Sequence, residues 1–419
     1  MVGTNHKHAP IEVRERLWCP PDTLASRLKS LVQGEIEEAV ALSTCNRTEI
    51  YTVSSSAAQP VTEVTQALSK WSGIDPPDLL QYVYTLTDEA AARHLIAVAS
   101  GLDSLAIGEQ QIQDQVKQAS RIANRAGTGG RFLTELFKHA DNAASSIRER
   151  SGLTEKVSVS SAVTLMLRKL STEQKIRTIL LVGAGKMISL AAEDLGVLPG
   201  IEVLVANRTA RKAKELADRM RGRAIGLGDI PGALEQADVV LTCTSSGEYV
   251  IGPEELQKAV QRRESIPLIV IDVAVPRNVN PEAKRITGVR VYNIDDLTPF
   301  GEQERKELQP KLEEAQRLVE EETQAFYAHL HEYDENDLLK DLMKVAEGIR
   351  EEELSRALRK LGDVPSRERT ILDLLTRRIV NKLLYEPTLR LKAHATSGDG
   401  RDYETVIREL FDIGRQADQ

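Results

Sequence analysis

The sequence predicts a multidomain α/β protein: an α+β first part, a doubly wound parallel sheet in the middle and an all-α tail. Three observations predict it. Ile36–Leu42 and Glu49–Val53 read as strands flanking a turn at Thr44–Arg47. "RTILLVGAGKM", "IEVLVANRT", "ADVVLTCTSS" and "IPLIVIDVAVPR" are short apolar strands, the first of them separated by helical stretches, which is the pattern of a sheet covered on both faces. After Asp295-Asp296 the pattern is helical and charged.

The whole chain sets bounds on these elements. Its 419 residues are too many for one core and suit two or three domains. At 41% hydrophobic and 28% charged it has an ordinary globular composition, with no apolar run long enough to span a bilayer. The formal net charge of -8 confines any nucleic-acid contact to local basic patches. The three cysteines, Cys19, Cys45 and Cys243, are odd in number and far apart, against a disulfide framework or a zinc cluster and for a reducing cytosol. Met1-Val2-Gly3-Thr4-Asn5-His6 reads as neither a signal nor a transit peptide.

In chain order, the first chemistry-bearing turn is "STCNRTEIY", Ser43–Tyr51. Cys45 is the only cysteine in a polar turn, and either a nucleophile or an inert small residue fits. Only the thiolate attacks, and a free thiol is about 3% ionised at neutral pH. Arg47 can raise that fraction or bind a substrate carboxylate bidentately. From Thr87, a plausible N-cap, to about Arg150 the chain reads as helix, with Leu95, Val98 and Leu102 on one stripe and His94 on its polar side. Ser104, Glu109, Gln111 and Gln115 follow; the two glutamines are four apart and share a face. These groups suit either a small polar substrate or an ordinary amphipathic surface.

Gly183-Ala184-Gly185 closes the strand Thr178–Leu181 and opens a helix with Lys186 and Met187. The first glycine permits the turn, and the second lets backbone approach a pyrophosphate held at the helix N-terminus. Ile188 stands where a third glycine is usual. The second strand ends in Asn207-Arg208-Thr209 rather than an acidic residue, which suits the 2′-phosphate of NADPH over a ribose hydroxyl. The middle domain is thus of the Rossmann type. Cys243, at a later strand end, reads as a small buried residue. Thr298-Pro299 is a good helix start, and Pro310 should kink that helix or mark its true beginning. "ATSGDGRD" should break the tail near Ser397, and stripes such as Ile371, Leu374, Leu375 and Ile379 suit a dimer interface.

"GTNHKHAPIEVRE", "STCNRTEIY", "HLIAVASGLDSLAIGEQQIQDQVK", "LLVGAGKM", "ANRT", "DVAVPR" and "YNIDDL" together resemble the glutamyl-tRNA reductase family, in order over roughly the first three-quarters of the chain. The resemblance implies a catalytic domain at 1–150, an NADPH domain at 151–295, a long spinal helix at 296–335 and a helical dimerisation domain at 336–419. It implies that Cys45 attacks the aminoacyl ester of glutamyl-tRNA, and that NADPH reduces the resulting thioester to glutamate-1-semialdehyde, the first committed step of tetrapyrrole synthesis. It implies a catalytic aid from His94 and a substrate pocket of Thr44, Asn46, Arg47, Ser104, Glu109, Gln110, Gln111 and Gln115, with Arg47 on the substrate carboxylate. It further implies a homodimer through the C-terminal helices, glutamate-1-semialdehyde aminomutase as partner, and no metal, haem or flavin.

Two departures stand out. Gln110 replaces the family's usual proline, which restores an N–H and loosens the turn. The family's first strand is fuller than the residues here ahead of "GTNHK", so either this strand is short and marginal or the native start lies earlier. The thioester and the nicotinamide belong to different domains, so the cofactor domain is expected to swing in about Ser151–Thr154 and Asn293–Thr298, with the long helix fixed. Two rivals remain: an NADP-dependent dehydrogenase of a free small acid, which has no use for Cys45, and a silent sensor of tRNA or tetrapyrrole, against which Cys45, His94 and the glycine turn argue.

Overall fold

A computed structural model of the chain describes residues 1–54, 59–104, 107–153, 159–195, 200–244, 246–263, 266–300, 306, 308–395, 406 and 410–411. It forms two compact units, Met1–Thr323 and Gln324–Gln419.

The first unit holds both sheets. The N-terminal sheet has the order β2-β3-β1-β4, all antiparallel, from β1 (Val2–Asn5), β2 (Ile36–Ser43), β3 (Arg47–Ser54) and β4 (Tyr84–Thr85). The first strand is short, as expected, but not marginal. All four of its residues are buried, and it pairs on both sides, Val2 with Ile50 and Thr85. Gly3 is obligatory there because an added Cβ would lie 2.9 Å from the Glu49 Cα across the pair. The helices of this domain include Asp88–Ala99, Gln110–Ala126 and Arg131–Ser151. Glu38 on β2 caps the last of them, accepting from Phe132 N at 3.0 Å and Leu133 N at 2.7 Å. Thr87 does stand at the N-cap of the first, but its hydroxyl makes no capping bond.

The second sheet is parallel, six-stranded, with the order β10-β9-β8-β5-β6-β7. Its strands are β5 (Thr178–Val182), β6 (Glu202–Ala206), β7 (Arg223–Ile225), β8 (Val239–Thr242), β9 (Leu268–Asp272) and β10 (Val289–Asn293). Alternate residues feed opposite faces: Ile179 and Leu181 join one apolar cluster, Leu180 and Val182 the other. Burial on both faces is why these strands read as continuous apolar runs. The strand order reverses between β5 and β8, and the crevice at that switch point, outside the carboxyl ends of the strands, is where such sheets bind ligands.

A 53-residue helix runs from Gln309 to Leu361, so Pro310 marks its start rather than a kink, and it continues past residue 335. Thr298 follows a short 3-10 turn, Ile294–Leu297, that Asn293 caps by accepting from Asp295 N at 2.8 Å. In the second unit, Leu338 and Leu342 pack on Leu384 of the helix Ser366–Ala395. The expected break near Ser397 lies outside the described residues. Ile371, Leu374, Leu375, Ile379 and Leu383 of that helix are all at least half exposed.

Candidate active site

The turn between β2 and β3 is built by Thr44. Its hydroxyl accepts from Asn46 N at 3.1 Å and Arg47 N at 3.2 Å, while Thr44 N donates to Arg47 O at 2.8 Å. A side chain that satisfies two backbone donors fixes the loop, so Cys45 stands on a rigid tip. Arg14 holds the tip from behind, donating to Cys45 O at 2.9 Å and Asn46 Oδ1 at 3.5 Å.

Cys45 lines a cavity of about 570 Å³ at the carboxyl ends of the parallel strands. Gly183, Ala184, Gly185 and Met187 line it after β5, Asn207, Arg208 and Thr209 after β6, Cys243 and Thr244 after β8, and Val273–Val275 after β9. Gln111 and Gln115 close the other side. Cys45 and the cofactor turn thus share one cavity in this conformation. Of the expected hinges, Thr154 lies outside the described residues.

The turn fits a dinucleotide. Gly183 has φ +115, and a Cβ on it would sit 2.4 Å from Cys243 O, so only glycine serves. A Cβ on Gly185 would meet no protein atom within 4 Å, which leaves the open cradle a phosphate needs. Lys186 and Met187 open the helix Lys186–Leu195; the Lys186 side chain lies outside the described residues. Ile188 needs correction. It is 1% exposed and packs into the apolar cluster under the sheet, so its side chain serves the core and not the cofactor. Lys212, in the first turn of the helix Ala210–Arg219, also lines the cavity and was not singled out by the sequence. Gln118, on the face of Gln111 and Gln115, was missed in the same way.

Burial pushes the Cys45 thiol up to about 11, and the Glu109 carboxylate adds to the rise, against Arg14 and Arg47. Burial likewise pushes Cys243 up to about 12, with Cys45 the next contributor. The side chain of Cys45 is only half-buried, yet in the closed state its thiol is protonated at neutral pH.

Behind the turn lies a buried ionic network. Glu49, 0% exposed, accepts from Arg47 Nη1 at 2.6 Å, Tyr84 OH at 2.6 Å, His94 Nε2 at 2.9 Å and Tyr51 OH at 2.8 Å. Arg47 Nη2 donates to Asp103 Oδ2 at 3.1 Å, and Lys7 pairs with the same carboxylate. Burial would raise Glu49, but Arg47, His94 and Tyr84 together hold it well below the usual carboxylate range. Burial and Arg47 push the neighbouring His6 down to about 4.

Of the expected substrate-side residues, Thr44, Gln111 and Gln115 line the cavity, and Asn46, Arg47, His94, Ser104, Glu109 and Gln110 do not. Arg47 does not line the cavity: its guanidinium is buried and already paired with Glu49 and Asp103. His94 does not line it either, because Glu49 holds its ring, with the Nε2 proton directed at the carboxylate. Gln110, the first residue of its helix, is exposed and away from the cavity. Ser104 is buried beside Asp103, and Glu109 occupies the N-cap of the Gln110–Ala126 helix.

A thiol on a rigid strand turn, facing a dinucleotide turn across one cavity, defines a nicotinamide-dependent oxidoreductase. The chain belongs to the glutamyl-tRNA reductase family. A glutamyl-tRNA reductase of Syntrophotalea carbinolica is 35% identical, covering 100% of this chain and 95% of that protein, and one of Bacillus subtilis is 34% identical, covering 100% and 92%. The family models for the glutamyl-tRNAGlu reductase N-terminal domain, shikimate/quinate 5-dehydrogenase and the glutamyl-tRNAGlu reductase dimerisation domain match residues 2–151, 164–300 and 314–413. A solved glutamyl-tRNA reductase from Methanopyrus kandleri, 29% identical, matches over 98% of both chains with a TM-score of 0.51.

Proposed function

We propose that the protein reduces glutamyl-tRNA to glutamate-1-semialdehyde with NADPH, through a thioester on Cys45, as the entry to tetrapyrrole synthesis. The observation that carries this reading is the cavity shared by Cys45 and the Gly183–Gly185 turn. Cys45 gives up its proton as its sulfur attacks the ester carbonyl. The ester C–O bond breaks, and the tRNA hydroxyl leaves with a proton. A nicotinamide held at the glycine turn would supply the hydride that reduces the thioester carbonyl. As the aldehyde forms, the C–S bond breaks and the Cys45 thiolate takes a proton from solvent to recover its thiol. Gln111 and Gln115 face the acyl group, with Thr44 and Asn46 holding the turn.

Arg47 takes the substrate carboxylate by exchanging Asp103 for it, and His94 acts through Glu49 rather than on the substrate. Arg208 and Lys212 hold the 2′-phosphate that distinguishes NADPH from NADH. The four-part division into catalytic, cofactor, spinal and dimerisation regions accompanies this reading. So do a homodimer through the exposed face around Ile371–Leu383, transfer of the aldehyde to an aminomutase, and a cytoplasmic location in keeping with three free cysteines.

The test offers NADPH with glutamyl-tRNA or free glutamate to the wild type and Cys45→Ser. Turnover is expected with charged tRNA only, and in the wild type only. Equal turnover in Cys45→Ser refutes the thioester; activity on free glutamate favours a small-acid dehydrogenase.

A further inference from the structure

One helix of the catalytic domain, α1 (Ile11–Leu17), carries contacts to the cofactor domain that the chemistry does not account for. Ile11 is 1% exposed and sits in the apolar cluster under the parallel sheet. Glu15 receives a fork from Arg277, with Nε at 3.0 Å from one carboxylate oxygen and Nη2 at 2.6 Å from the other. Arg277 Nη1 also reaches Glu12 at 2.9 Å. Arg14 pairs with Asp295 of the Ile294–Leu297 turn while donating to Cys45 O at 2.9 Å.

Arg277 ends a stiff loop. The buried Asp272 carboxylate accepts from Ala274 N at 3.1 Å, Asn278 N at 2.8 Å and Val279 N at 2.8 Å, winding the loop around it. The same loop presents Val273–Val275 to the cavity. A pull on Arg277 is therefore transmitted to the cavity wall opposite Cys45. The Arg277 and Glu15 side chains are 9% and 15% exposed, so this pair is enclosed; Glu12, at 55%, is a rim contact.

We propose that α1 is a docking latch: the Arg277–Glu15 fork and the Arg14–Asp295 pair hold the catalytic turn against the cofactor domain for hydride transfer, and they are positioning residues. The proposal rests on the thioester reading and adds the contacts that set domain closure. The first step, ester attack by Cys45, does not need the latch; the second does.

The experiment uses the full chain. Closure is read without substrate or cofactor, as the rate at which a short homobifunctional thiol reagent bridges Cys45 to Cys243, with products mapped so that Cys19 adducts are set aside. Single-turnover tRNA release and NADPH oxidation are then measured separately. Arg277→Ala is expected to slow bridging and NADPH oxidation by about tenfold or more, the least expected on breaking so enclosed a pair. Its tRNA release should be unchanged. Glu15→Gln should behave alike, and the swap Glu15→Arg with Arg277→Glu should recover both to within about threefold. Unchanged bridging in Arg277→Ala, or tRNA release falling in step with NADPH oxidation, overturns the latch. If the wild type itself releases no tRNA, the thioester reading fails, and the bridging rate still decides whether α1 is a latch.

Discussion

A thiol pushed up to about 11 makes a weak nucleophile in the resting protein. At pH 7 about one Cys45 in 10⁴ is ionised, against about 3% of a free cysteine, so its alkylation should be about 300-fold slower. Burial is the main cause and Glu109 the second, which makes Glu109→Gln the informative perturbation. A unit charge close to an enclosed group, at an effective dielectric of about 20, is worth on the order of 1–2 kcal/mol. That is about one pKa unit. The assay is iodoacetamide labelling followed peptide by peptide across pH 7–10. The wild-type rate should climb about tenfold per pH unit with no plateau, because the fraction ionised still grows below the pKa. Glu109→Gln should keep that slope and label about tenfold faster at pH 8. A wild-type plateau below pH 9, or slower labelling in Glu109→Gln, refutes the argument that burial and Glu109 silence the thiol.

Two further outcomes follow from the same geometry. Removing Arg208 and Lys212 together, as alanines, should weaken NADPH binding by about 10–100-fold and leave NADH binding nearly unchanged; equal losses for both cofactors count against a 2′-phosphate site. Glu49→Gln should destabilise the catalytic domain by about 3–5 kcal/mol, because Arg47 stays buried with one counter-charge fewer. Both tryptophans, Trp18 and Trp71, lie in that domain and report its unfolding. The sign with pH is fixed. Glu49 is held below its ordinary value in the fold, so its stabilisation is complete above the unfolded pKa of about 4.3 and fades as pH falls through the folded value. The gap between wild type and Glu49→Gln should therefore narrow on acidification below about pH 4; a gap that widens rules the network out as its source.

The sequence reveals local periods and turn chemistry, and those parts of the protein were legible in it. The Cys45 turn, the glycine turn and the apolar strands β5, β6, β8 and β9 were all readable because each is encoded within a few residues. β7, with two exposed residues out of three, lacks an apolar run and gave no signal. The ion pairs of Arg47 were not legible for a different reason. Its partner Asp103 is 56 residues away, and Arg277 lies 262 residues from Glu15, distances over which spacing carries no information. One clue was local all the same. Arg47, Glu49 and Tyr51 are two apart on one strand and so share one face. A cation and an anion alternating on the buried face of a strand must pair there, since neither survives burial alone. Read that way, "CNRTEIY" places the cysteine at the cavity end of a buried ionic pair. The pair stiffens the strand and leaves the control of the thiol to burial and to the Glu109 carboxylate.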